Sequence, residues 1–270
     1  MINKINHFPV FCNNRGFSLV ELSIVLVILG LLTGGILTGQ SLIRAAELRA
    51  VATEFNEYET AVQTFEDKYF ALPGDMNNAT QFWGSASGVT CSMGQSTAGT
   101  GTQTCNGNGD GSVTYGGGNN QYVEMFMFWQ HLANAGLING RYTGRSDGIH
   151  FEHAVIGTNV PASKLSRAGW TILGDMVINT GTGGDPNPTA YGATYKYPLY
   201  YGAQHSDYEL HEPVLRPEEA WNVDKKIDDG VGSTGRVVMD RWHLTGDCNN
   251  GSNNYNLSFN GVACILIFRQ

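Results

Sequence analysis

Residues 17–38 form a run of 22 positions carrying one charge, Glu21, and no other stretch restricts the fold as strongly. As an α-helix the run is about 33 Å long, enough to cross a bilayer. Lys4 and Arg15 precede it, and residues 1–16 contain no acid. Basic residues on that flank hold the N-terminus on the cytoplasmic side, so the remainder is expected across the membrane. A carboxylate at the depth of Glu21 is costly and calls for a partner. An ordinary secretory signal would place small residues for cleavage after the apolar run. Thr33-Gly34-Gly35 comes nearest to that, but the helical pattern passes straight through it. A plain membrane anchor would have no use for Glu21.

The periodicity outlasts the apolar run. Leu48, Val51, Ala52, Phe55, Tyr58, Val62, Phe65 and Tyr69 recur at steps of three or four, one stripe on an otherwise polar helix. Leu72-Pro73-Gly74-Asp75 supplies the stop. The stripe needs a packing partner, and the rest of the chain is the obvious one. A helix that continues from a membrane segment into a domain suits a filament subunit. A tethered enzyme would more often have a flexible linker there.

The chain has 270 residues, enough for one or two domains with a sizeable core. Aromatics at 11% separate it from disordered chains, while 35 glycines and only 15% charged residues point to neutral, loop-rich surfaces. Net charge is −8; without residues 1–16 it becomes −10, from 14 basic and 24 acidic residues. An acidic exterior argues against tight nonspecific binding of nucleic acid.

Arg15-Gly16-Phe17-Ser18-Leu19-Val20-Glu21-Leu22, leading into the apolar run, resembles the signal of prepilins and pseudopilins. The resemblance implies that a prepilin peptidase cuts after Gly16 and methylates the new amine of Phe17. It implies that Glu21 pairs with the N-terminal ammonium of a neighbouring subunit. An unpaired buried charge costs several kcal/mol, so such a pair would favour correct register. The implied partners are the peptidase, other pilin or pseudopilin subunits, an inner-membrane assembly platform and, before assembly, the lipid bilayer. The implied location is the bacterial inner membrane with a periplasmic head, then a periplasmic pseudopilus or a surface pilus. One departure stands out. Many family members have a helix-kinking proline late in the apolar segment, where this chain has Thr38 among Gly30, Gly34, Gly35 and Gly39.

The expected organisation is a leader over residues 1–16, a transmembrane and assembly half over 17–39, an amphipathic half over 40–72 and a head over 73–270. The fold class is α+β and pilin-like, a long N-terminal helix packed on an antiparallel sheet with disulfide-closed loops. In the head, spacing predicts a helix over 121–135 with Gly136 behind it, and another over 217–227 opened by Pro217 and stopped near Gly230. Strands are predicted over 148–156, 169–178, 195–201, 209–215, 236–241 and 262–268.

Of five cysteines, Cys12 precedes the cleavage junction. The others fall into two local pairs, Cys91 with Cys105 and Cys248 with Cys264, in a segment expected to face an oxidising compartment. Two disulfides are the economical reading, since neither pair has the spacing of a zinc site. Bridging Cys91 to Cys105 would close a 15-residue loop, worth about 3 kcal/mol by the chain-entropy argument. The C-terminal cysteine loop resembles the disulfide-bounded region of type IV pilins.

Several patterns invite chemistry. Asn106-Gly107-Asn108-Gly109-Asp110-Gly111 starts like a calcium loop, but Gly117 occupies the place of the closing Glu, so it is a partial calcium site or a flexible turn. Asp224, Asp228 and Asp229 form a second acidic cluster, a calcium site or a solvated helix face with a capped exit turn. No cofactor is required on this reading, and a structural calcium is the one candidate. Gly144-Arg145-Ser146-Asp147-Gly148 matches G-x-S-x-G without the strand-then-helix context of a nucleophile elbow. His150, His153, His205, His211 and His243 are scattered, and no catalytic residues can be assembled. Tyr191, Tyr195, Tyr197, Tyr200 and Tyr201 with Lys196 read as strand core, with an exposed face for carbohydrate or a partner subunit as the alternative. The function expected is a non-enzymatic subunit of a type IV pilus or type II secretion pseudopilus. The rivals are a minor or tip subunit acting as adhesin or initiator and, behind it, a membrane-tethered hydrolase.

Overall fold

The computed structural model describes residues 18–86, 101–113, 124–146, 150, 152–172, 197–240, 247–252 and 254–269. The chain divides into two units, Met1–Ala45 and Ala46–Gln270. Helix α1, Leu19–Tyr69, contributes its first half to one and its second half to the other. In the first unit the helix keeps its apolar side chains on the surface, among them Leu19, Val25, Leu31 and Leu37.

In the second unit α1 buries one stripe, including Val51, Phe55, Val62 and Phe65. The helix stops where Phe70 takes a positive φ of 53°, just before Pro73 and Gly74. A short helix α2, Ala79–Trp83, follows; no local pattern foreshadowed it. Helix α3, Glu124–Asn134, ends at Gly136, whose φ of 73° is the left-handed conformation that glycine adopts without strain. Helix α4, Pro217–Ile227, opens with Glu219 accepting a hydrogen bond from the Arg216 N–H.

Among the described residues the unit has four strands: β1 (Ala168–Ile172), β2 (Leu199–Ala203), β3 (Val237–Met239) and β4 (Leu266–Phe268). They form an antiparallel sheet in the order β1-β2-β4-β3, with Trp170 opposite Tyr201 and both Tyr200 and Val238 opposite Ile267. Two predicted strands are absent as such. Residues 209–215 make only the single bridges Ala203–Glu212 and Leu215–Cys264. The described part of 148–156 is turn and loop, with one bridge from Ile156 to Val160. In both, β-branched and aromatic content marked burial rather than ladder pairing, a distinction composition does not make.

The sheet is buried on both faces. One face presents Trp170, Tyr201 and Phe268 to α1, with Phe268 4.8 Å from Phe55 and Trp170 5.7 Å from Tyr58 between ring centroids. The other gathers Tyr200, Val238, Ile265 and Ile267. Tyr197, Tyr200 and Tyr201 are therefore core; Tyr191, Tyr195 and Lys196 lie outside the described residues.

A polar clamp registers helix on sheet. Glu54, buried on α1, accepts hydrogen bonds from Ser163 Oγ at 2.7 Å, the Lys164 N–H at 2.7 Å and Trp170 Nε1 at 2.8 Å. Farther along α1, Arg236 at the start of β3 reaches Glu59 at 2.6 Å while its guanidinium lies over Phe55. A second buried node sits beside α3. His131 Nδ1 accepts from the Gly74 N–H, and Nε2 faces Thr104 Oγ1 at 2.9 Å. Burial depresses this imidazole to a pKa of about 3, so it is neutral in the folded chain.

Candidate functional site

The first site is the start of α1. Gly16 and Phe17 lie outside the described residues. Ser18 is the residue before the helix; its Oγ accepts from the Val20 N–H at 3.3 Å, and its own N–H donates to Glu21 Oε2 at 2.9 Å. This is the Glu half of an S-x-x-E capping box, with Ser18 Oγ capping Val20 rather than Glu21, and it gives Glu21 a local partner. The signal was present in the Ser18-to-Glu21 spacing. Beyond it the hydroxyls of Thr33 and Thr38 donate back to Leu29 O and Gly34 O, at 2.9 and 3.0 Å. Hydroxyls satisfied within the helix suit an apolar environment. The helix passes through position 38 without interruption. α1 is long and apolar enough to cross a membrane, and its most apolar window has no buried residue.

The second site is the 106–111 loop. It wraps around Asp75, the last residue of the stop that follows α1. Asp75 accepts from the N–H groups of Gly109, Asp110 and Gly111, at 2.6, 3.0 and 3.0 Å. A Cβ on Gly107 would lie 2.3 Å from Gly74 O, so only glycine lets the two backbones meet. Burial raises the pKa of Asp75, and the three amides work against that rise. Of the expected calcium ligands, Asn106 accepts from the Thr80 N–H, while Asn108 and Asp110 bond to one another. Each side chain thus has a protein partner, Asn106 on α2 and the other two within the loop.

The third site lies at the exit of α4. Carboxylate atoms of Asp224, Asp228 and Asp229 lie within 4.8 Å of one another. Asp224, fully buried, accepts from Tyr255 Oη and the Gly230 N–H, at 2.9 and 3.0 Å. Asp228 accepts from the Arg236 N–H, and Asp229 from the Val231 N–H and Thr234 Oγ1. Burial outweighs these bonds and raises Asp224 to about 6. The cluster fastens the turn after α4 to β3 and to the loop closed by the disulfide Cys248–Cys264, whose Cα atoms are 5.2 Å apart. Cys105 is also disulfide-bonded; Cys91 lies outside the described residues.

Residues 144–146 are the described part of the G-x-S-x-G segment, and no strand leads into Ser146. Gly144 has a φ of 70°, and the buried Ser146 hydroxyl donates to the His150 carbonyl. The histidines, by contrast, are not scattered. The loops 150–159 and 203–212 bring His150, His153, His205 and His211 together around Tyr208. His150 and His205 lie 4.5 and 5.4 Å from its ring, and His205 and His211 pack 4.1 Å apart. His153 Nε2 faces the His205 carbonyl at 3.3 Å. Glu152 stands beside His150, its pKa raised to about 7 by burial and then by the charge of Glu209. His243 lies outside the described residues. A groove of about 830 Å³ runs along α1 past Thr53, Asn56, Glu57 and Tyr142. Among its lining residues are no serine, cysteine or histidine to serve as a nucleophile with its base.

Comparison with known families matches residues 12–37 to the prokaryotic N-terminal methylation motif, the prepilin-type signal of type IV pilins and pseudopilins. No curated protein and no solved structure matched the chain. The motif indicates a type IV pilin- or pseudopilin-like precursor, and the long apolar helix with a disulfide-bearing α+β head accords with it. The motif is that of a structural class of protein, and the apolar helix fits membrane anchoring.

Proposed function

We infer that this chain is a structural, non-enzymatic subunit of a type IV pilus or type II secretion pseudopilus. The observation that carries this reading is the methylation motif at residues 12–37, which takes in the apolar start of α1 with its exposed surface. Such a surface requires lipid, or the same helix from neighbouring subunits. On this reading a prepilin peptidase cuts after Gly16 and methylates Phe17, with the N-terminus cytoplasmic and the head periplasmic. An assembly platform in the inner membrane then passes the helix from lipid into a filament core. There Glu21 exchanges its capping bond to Ser18 for the ammonium of a neighbouring Phe17. Mass spectrometry of the mature chain tests the processing: the expected N-terminus is N-methylated Phe17, and any other would overturn the reading. Glu21→Ala should leave cleavage intact and reduce assembly.

A second reading, a minor or tip subunit, is favoured by Thr38, where the helix continues unbroken in place of the proline common in the family. Sheared filaments distinguish the two, since a major subunit dominates them and a tip subunit is a trace component.

A further inference from the structure

The loop between β2 and α4 carries a site that the filament reading does not use. The mutual bonds of Ala203 and Glu212, N–H to carbonyl at 2.8 and 3.2 Å, close its base. Inside, a Cβ on Gly202 would lie 2.0 Å from Leu210 O, so the loop folds back tightly on the end of β2. This geometry places His205 and His211 on one side with Glu212. Nitrogen and carboxylate atoms of the three residues lie within 4.8 Å of one another. His205 Nε2 and Glu212 Oε1 are 3.8 Å apart.

We propose that His205, His211 and Glu212 bind one divalent transition-metal ion of the zinc type. Two imidazoles and one carboxylate are a donor set suited to zinc, with a fourth position left for water or for a group on a neighbouring molecule. Zinc bonds of about 2.0–2.1 Å bring tetrahedral ligands roughly 3.4 Å apart, so the three residues must close by up to about 1.4 Å. Glu212 is exposed and free to swing inward. The His205 carbonyl is held by His153, which limits how far that residue can move. One bond is lost. His205 Nδ1 accepts from the Asp207 N–H at 3.1 Å, and coordination through Nε2 places the ring proton on Nδ1. The Asp207 amide then turns to water, at small cost because Asp207 is exposed. Hard oxygen-seeking cations such as calcium and magnesium are disfavoured by the two nitrogen donors.

The test uses the full chain in detergent, without a polyhistidine tag, titrated with zinc in calorimetry and with cobalt(II) in visible absorption. The expected result is one equivalent of zinc bound with micromolar or tighter affinity, and the intense visible bands of tetrahedral cobalt. His205→Ala and Glu212→Gln should each weaken zinc binding at least about tenfold, whereas Asp228→Asn, at the other acidic cluster, should not. Both substitutions are at partly exposed positions, and a metal-free melt confirms that the variants fold. The proposal is overturned if wild-type chain shows no saturable binding, or if the double variant His205→Ala/Glu212→Gln retains the wild-type affinity.

Discussion

Replacing Glu54 tests whether a polar clamp, rather than apolar burial alone, sets how α1 sits on the sheet. Its carboxylate accepts from Trp170 Nε1, the Lys164 N–H and Ser163 Oγ. In Glu54→Ala the Trp170 indole N–H, on a fully buried ring, loses its acceptor, and the Lys164 amide, only partly buried, loses its own. The Ser163 hydroxyl retains Tyr201 Oη at 3.0 Å and contributes little. A buried donor left without a partner costs about 1–3 kcal/mol, and the partly buried amide falls at the low end. The expected loss is therefore roughly 2–4 kcal/mol. Glu54→Gln should lose less, because one oxygen remains, though its amide nitrogen now faces a donor. Urea unfolding followed by tryptophan fluorescence measures both. A double-mutant cycle with Trp170→Phe should return a coupling of about 1 kcal/mol or more, since each change removes the same bond. A loss below about 1 kcal/mol in Glu54→Ala, with no coupling to Trp170, would show that the clamp is incidental to the packing.

Three further outcomes follow from the buried groups. His131 has a depressed pKa of about 3, so between that value and the ordinary 6.5 the unfolded chain binds the extra proton. Stability should therefore fall as pH drops from 6.5 toward 3, and pH-dependent melts of wild type against His131→Gln would show whether the slope belongs to this residue. Reducing Cys248–Cys264, 16 residues apart, should cost about 3 kcal/mol; an unchanged melt in reductant would contradict it. Millimolar calcium should leave the melting temperature unchanged, because Asp224, Asp228 and Asp229 already accept from donors of their own turn. A saturable rise that disappears in Asp228→Asn would make the cluster a cation site instead.

Much of this architecture was legible in the sequence because it rests on local chemistry. The charge-poor run after Lys4 and Arg15, the Gly16-Phe17 junction and Glu21 are contiguous. The stripe from Leu48 to Tyr69 is a simple period, and Pro217 and Gly136 punctuate helices by their own backbone preferences. The α+β class follows from such signals, and so does the pilin-like beginning.

What local pattern could not decide was partnership across the chain. Glu54 is outside the apolar residues of the Leu48-to-Tyr69 stripe, and only the approach of Ser163 and Trp170, more than a hundred positions away, makes it a buried clamp. Asp75 looked like a helix stop and became the acceptor at the centre of the 106–111 loop. The histidines were far apart in sequence, and the loops 150–159 and 203–212 brought four of them together. Periodicity reports which side of an element is apolar, because that depends on neighbours three or four positions away. A hydrogen bond or a ligand set depends on which distant backbone arrives, and that is fixed only when the sheet and α1 close on each other.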